Sequence, residues 1–147
     1  MLNEINQSKN TVIFLVGIPG SGKSTLAKSL DANRINMDTI RLENPDLDKG
    51  DQWELSYIQF LDFLKEDKNI VIDNTNFMKQ LRNRYMFYIP QEWKKIAIVI
   101  NIPLDECIRR NELRTGQAKV PEKVIRDMYN KFQRPTLQEG FDEIYDM

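Results

Sequence analysis

The stretch GIPGSGKST, Gly17–Thr25, directly follows the apolar run TVIFLV, Thr11–Val16. No other feature limits the fold as much. A continuous β-branched run with no polar alternation suits a strand covered on both faces. The glycines that follow break the strand, and Gly17, Gly22, Lys23 and Ser24 satisfy G-x-x-x-x-G-K-[ST]. That spacing lets backbone N–H groups turn inward around a polyphosphate, with lysine reaching its terminal groups and the serine hydroxyl able to ligate magnesium. The helix expected from Ser24 adds the partial positive charge of its N-terminus. Gly17, Pro19, Gly20, Ser21, Gly22, Lys23, Ser24 and Thr25 are therefore the candidate phosphate-binding set. Ser24 is the candidate metal ligand. ATP or another nucleoside triphosphate, with Mg²⁺, is the expected cofactor.

The rest of the chain repeats the same alternation. Strands are predicted around Arg34–Met37, at Asn69–Asp73 and at Lys95–Ile102, with one more in the closing FDEIYDM. Helices are predicted over Ser24–Asp31, Gln52–Glu66, Gln80–Tyr88 and Leu104–Leu113, and from Pro121 to about Phe132. DLDKGD between them reads as a polar, acidic loop. Strands alternating with helices predict an α/β fold with a parallel sheet flanked by helices and ligands beyond the strand ends. Gly17, Asp38, Asp73 and Asn101 all fall at or near those ends. A chain of 147 residues suits one domain, with residues 1–10 as a polar N-terminal tail.

Composition narrows the chemistry. There is no histidine, which excludes histidine bases and histidine metal ligands. One cysteine, Cys107, excludes an internal disulfide and a cysteine zinc cluster. A formal charge of -1 argues against coating long nucleic acid by bulk charge, though not against a local basic patch. The apolar runs are too short to cross a bilayer, so a cytoplasmic domain, or a virus-encoded one acting in the host cytoplasm, is expected. The guanine-reading N-K-x-D and the switch D-x-x-G are absent; Asn130-Lys131 is followed by Phe132 and Gln133. The strand at Asn69–Asp73 ends in Asp73-Asn74 and not in the Asp-Glu of water-activating motors. Transfer of the terminal phosphate to another molecule is favoured over hydrolysis.

The acceptor side is read from three segments. In INMDTIR, Ile35–Arg41, Asp38 follows a strand and, with no histidine in the chain, is the best general base for an attacking hydroxyl. Arg41, one turn on, suits an anionic group of the acceptor. Position alone leaves open whether Asp38 instead caps a helix starting at Thr39. In IDNTN, Ile72–Asn76, Asp73 can serve magnesium through water or help place the acceptor beside Asn74, while Asn76 suits an Asx turn. In IRRNELRTGQAK, Arg110 and Arg114 share a helix face by their spacing, and Thr115-Gly116 supply a hinge. Arg110 and Arg114 join the candidate phosphate-binding set, Arg114 as a lid arginine, and Arg109 reads as a solvated surface charge. Trp53 and Trp93 read as core or partly buried anchors, and Cys107 as packing.

Taken together, GIPGSGKST, INMDTIR, VIDNTN, IRRNELRTG, KVPEKVIRDMYNKF and RPTLQEGFDEI resemble the 5′-hydroxyl polynucleotide kinase domain, of both the phage and the mammalian DNA-repair type. The likeness runs from about Val12 to the C-terminus, and the last two strings are its most specific part. It implies a P-loop kinase fold with the strand order of adenylate kinase. It also implies an Arg-bearing lid and transfer of the ATP γ-phosphate to a 5′-OH end of DNA or RNA. Asp38 then falls on the general base, Lys23, Ser24 and Thr25 on the phosphate loop, and Arg41 on the arginine contacting the acceptor phosphate. Arg114 falls on the lid arginine and Asp73-Asn74 on the acceptor motif. Met37 departs from the arginine common before that base. A small-molecule acceptor and a non-catalytic nucleotide-binding regulator are the competing readings.

Overall fold

A computed structural model describes residues 1–147, the side chain of Gln117 excepted. Five strands, β1 (Thr11–Val16), β2 (Ala32–Ile35), β3 (Asn69–Ile72), β4 (Lys94–Val99) and β5 (Glu143–Asp146), form one sheet in the order β2-β3-β1-β4-β5. Every neighbouring pair is parallel, with Phe14 opposite Ile72 on one side and Ala97 on the other. The α/β class, the parallel sheet and the adenylate-kinase strand order expected from the sequence are present.

β1 explains its own composition. Val12, Phe14 and Val16 point to one core with Phe60, Tyr85 and Phe141, while Ile13 and Leu15 point to the opposite core with Ile5, Ala27 and Leu30. A strand in this position has no polar face, so its sequence cannot alternate. The first core is closed by α4 (Lys49–Phe63) and α5 (Lys79–Met86), and the second by α1 (Leu2–Gln7) and α2 (Lys23–Ser29). A smaller cluster of Ile18, Cys107, Ile108 and Ile125 ties the tip of the glycine-rich turn to α6 (Leu104–Glu112) and α7 (Glu122–Asn130). Cys107 is packing, as read, and Trp93 is buried.

Several local expectations are corrected. Residues 1–10, read as a polar tail, carry α1, which buries Ile5 and is held by Asn69, whose Nδ2 donates to the Ile5 carbonyl at 2.9 Å. The DLDKGD loop is part helix: Asp48 caps α4, accepting from the Asp51 amide at 2.8 Å. The strand read as Lys95–Ile102 ends at Val99. Asn101 bonds Asp146 at 2.8 Å and does not line the cavity described below. The helix left open after Asp38 is present as α3 (Met37–Glu43) and starts two residues before Thr39.

Candidate active site

The glycine-rich turn leaves the end of β1 and is fixed by the Gly17 amide, which donates to the Thr75 carbonyl at 2.9 Å. Gly20 and Gly22 take φ of +88° and +96°, a region that strains any other residue. At Gly20 there is also no room: a Cβ would stand 2.4 Å from the Cys107 carbonyl oxygen. Ser21 is buried and its hydroxyl has no partner. Lys23 Nζ meanwhile donates to the Ile18 carbonyl at 3.2 Å. Burial pushes the Lys23 ammonium down to about 8; nearby Asp73 opposes the shift and Arg114 adds to it. A cation buried at such cost behind a glycine-rich turn suits an anionic ligand. Thr25 lies in the first turn of α2, exposed and outside the cavity lining.

Asp73 follows β3 and is almost wholly buried. Its Oδ2 accepts from Arg34 Nε at 2.8 Å, from Asn36 Nδ2 at 3.2 Å and from the Ser24 hydroxyl at 3.4 Å. Its Oδ1 is shut from water and has no partner among the described residues. The pairing of Ser24 with an under-bonded buried carboxylate fits a magnesium ion that comes with a nucleotide. Among the described residues no three His, Cys, Asp or Glu side chains converge. The protein would thus offer few ligands, leaving the rest to water and phosphate, as this ion prefers.

α3 is capped by Asn36, not by Asp38: Asn36 Oδ1 accepts from the Thr39 amide at 2.8 Å. Asn36 Nδ2 donates to the Asp73 carbonyl at 2.9 Å, and Asn74 Oδ1 accepts from the Met37 amide at 2.9 Å. The first turn of α3 is thereby fixed to the end of β3. Asp38 is left with no structural duty except a 3.2 Å contact with Arg41, and its side chain is 90% exposed. It stands on the wall of a cavity of about 420 Å³, a size ordinary for small-ligand sites. Lys23, Ser24, Asp38, Arg41, Asp73, Asn74 and Arg114 all line that cavity. Residues far apart in sequence, selected for phosphate transfer, thus face one space.

The basic segment divides. Arg109 is exposed and paired with Glu106. Arg110 also bonds Glu106, at 3.0 Å, and lies against the turn: a Cβ on Gly22 would be 3.8 Å from its Nη1. Arg114 does not share a helix face with it, because α6 ends at Glu112 and Arg114 lies beyond the Leu113 cap. Among the described residues its guanidinium bonds the Ala118 carbonyl, at 3.4 Å, close to Gly116 with φ of +64°.

Four contributors escape sequence reading. Arg34 and Asn36 act on Asp73 as described. Trp53, read only as an anchor, lines the cavity with Arg84 5.1 Å above its ring and Tyr57 stacked beside it. The buried pair of Arg82 and Glu139 braces the segment after β3, with Arg82 Nη1 donating to the Asn76 carbonyl at 2.8 Å. Asn76 has φ of +50° and Nδ2 bonds to the Leu15 and Ile72 carbonyls, so its task is structural.

The sheet order, the phosphate turn and the cavity define a P-loop kinase. Residues 12–135 match the family model described as the AAA domain, and the chain belongs to that family. It is similar to the bifunctional polynucleotide phosphatase/kinase of Schizosaccharomyces pombe, 30% identical over 90% of this chain and 32% of that protein. It is also similar to the L-seryl-tRNA(Sec) kinase of Methanococcus maripaludis, 29% identical over 89% of this chain and 56% of that one. The chain therefore spans about a third and just over half of these relatives. A gluconokinase from Sinorhizobium meliloti shares the fold, with a TM-score of 0.60 at 16% identity over 93% of this chain and 81% of that one. Among the described residues no helix is long and apolar enough to cross a membrane.

Proposed function

We propose that the chain transfers the γ-phosphate of ATP, or of another nucleoside triphosphate, to a 5′-hydroxyl end of DNA or RNA. The observation that carries this reading is Asp38: an exposed carboxylate free of capping duty, sharing one cavity with Lys23, Ser24 and Arg114. The acceptor hydroxyl approaches between Asp38 and the phosphate turn. Its oxygen forms the new bond to the γ-phosphorus, its proton passes to Asp38, and the bond to the β-phosphate oxygen breaks. Lys23 and Arg114 face the charge that collects on the departing diphosphate. Ser24 and Asp73 would hold a magnesium ion, directly or through water, and that ion would supply neutralisation of the phosphate charge. Arg41, on the acceptor side, suits the next phosphate of a polynucleotide, and Asn74 orients the same wall.

The polynucleotide kinase relative supports the acceptor class. A second reading, a hydroxyl on seryl-tRNA or on a small metabolite, is supported by the seryl-tRNA kinase relative and by the modest cavity. Incubation with labelled ATP and magnesium separates them, offering a 5′-OH DNA oligomer, a 5′-OH RNA oligomer, seryl-tRNA and a metabolite pool side by side. Label on the oligomers in the wild type, lost in Asp38→Asn with ATP binding retained, is the expected result. Label on seryl-tRNA or a metabolite alone moves the assignment to the second reading. Unchanged transfer by Asp38→Asn removes the base.

A further inference from the structure

We propose that Arg34 stands in for the divalent ion when no nucleotide is present, and so keeps bare metal off Asp73. This rests on reading Ser24 and Asp73 as the groups that serve the ion. Asp73 is a buried carboxylate, and its ion-pair partner among the described residues is Arg34. Lys23 does not fill that role, because its ammonium is turned to the Ile18 carbonyl. The manner of the pairing is informative. A guanidinium matched to a carboxylate for stability alone tends to engage both oxygens in a fork. Here Nε and Nη2 both donate to Oδ2, and Nη2 also reaches the Ser24 hydroxyl at 3.4 Å. The positive charge therefore sits between the hydroxyl and the carboxylate that a magnesium ion would use. Oδ1 remains buried with no hydrogen-bond partner among the described residues, while Asp73 as a residue lines the cavity.

Two consequences follow. Without nucleotide the carboxylate is already neutralised, and a divalent ion arriving alone meets a like charge across a few ångströms. With nucleotide, the phosphates bring negative charge that outweighs that repulsion, so metal enters with its nucleotide. The side chain of Arg34 is 31% exposed, which leaves it room to swing aside. Arg34 is a positioning residue in this scheme, since it acts through Asp73 and touches no reacting atom.

The test is direct binding of Mn²⁺ to the full chain without nucleotide, followed by electron paramagnetic resonance. Arg34→Gln should bind Mn²⁺ about ten- to a hundredfold more tightly than wild type, the scale of one unit charge near a divalent ion at a partly exposed site. Arg34→Lys, which keeps the charge, should stay near wild type, and Arg34→Gln with Asp73→Asn should lose the gain. An Arg34→Gln protein that binds Mn²⁺ no better than wild type overturns the proposal. If that variant is unfolded without metal, Mn²⁺ must restore its thermal transition, because an ion that binds only the folded state raises its stability; no restoration also overturns it. None of these readouts involves an acceptor, so the proposal and the acceptor assignment fail independently.

Discussion

Replacing Glu139 by alanine tests whether the acceptor wall is braced from the C-terminal segment. Arg82 and Glu139 are fully buried and meet through two bonds, at 2.8 and 3.1 Å. Removing one partner of such a pair costs about 3–5 kcal/mol, because the remaining charge stays in a poor solvent. Arg82 keeps one bond, to the Asn76 carbonyl, which argues for the lower end of that range. A loss of about 3 kcal/mol would be a large part of the 5–15 kcal/mol typical of a whole domain. The thermal midpoint should fall by roughly 10 °C at this chain length.

Urea denaturation, followed by the fluorescence of buried Trp93 and by circular dichroism, measures the cost. Arg134→Ala is the internal control, since Arg134 pairs with Asp146 in the same region with both side chains about half exposed. It should cost no more than about 1 kcal/mol. If Glu139→Ala costs no more than Arg134→Ala, the brace is not what holds this segment. At a temperature where the variant is still folded, its KM for the acceptor should rise more than its KM for nucleotide. The reason is that the freed loop, residues 74–78, lines the acceptor side.

Four further outcomes follow from the phosphate side. The Lys23 pKa is lowered from 10.5 to about 8, so below pH 8 the ammonium is charged in both folded and unfolded chains and the fold carries the full penalty. Nucleotide-free stability should therefore rise as pH climbs from about 8 toward 10.5, by up to about 3 kcal/mol from this group. Near pH 9 nucleotide binding should take up close to one proton, about 0.9, as phosphates restore the ammonium; calorimetry in buffers of different ionisation enthalpy that finds no uptake refutes the assignment. Gly20→Ala forces a Cβ onto the Cys107 carbonyl at positive φ and should cost about 1–3 kcal/mol, with loss of binding to a fluorescent ATP analogue. Arg114→Ala should lower kcat by about 10³-fold with a smaller change in nucleotide affinity, and full turnover would remove its role.

The parts of the fold legible in the sequence are those whose causes are local. β1 and the turn after it are read correctly because burial on both faces and the glycine spacing are properties of adjacent residues. α3 is a different case. Asp38-Thr39 and Asn36 are equally acceptable caps by residue type, and what decides between them is Asn36 bonding Asp73, 37 residues away. The helix-face reading of Arg110 and Arg114 fails for a similar reason: the spacing is right, but α6 ends before Arg114. Arg34 gives a faint signal, as a charge on a strand that pairs with buried β3. Arg82 and Glu139, 57 residues apart, give none.

RPTLQEGFDEI, one of the two most specific strings of the family resemblance, turns out to have a supporting function. Glu139 both closes its own capping box with Thr136 and reaches Arg82 beneath the segment after β3. Gln133 takes part too, its amide donating to the Phe77 carbonyl and its side chain accepting from the Lys79 amide. From the other side, Asn36 and Asn74 tie α3 to the same segment. The wall proposed for the acceptor is thus clamped between two sets of contacts, neither of which uses Asp38 or Arg41. The division has a physical logic. A carboxylate committed to a cap or an internal ion pair could not take a proton without loosening the fold. Asparagine does the fastening here, and Asp38 is left out of the contacts that hold its helix in place.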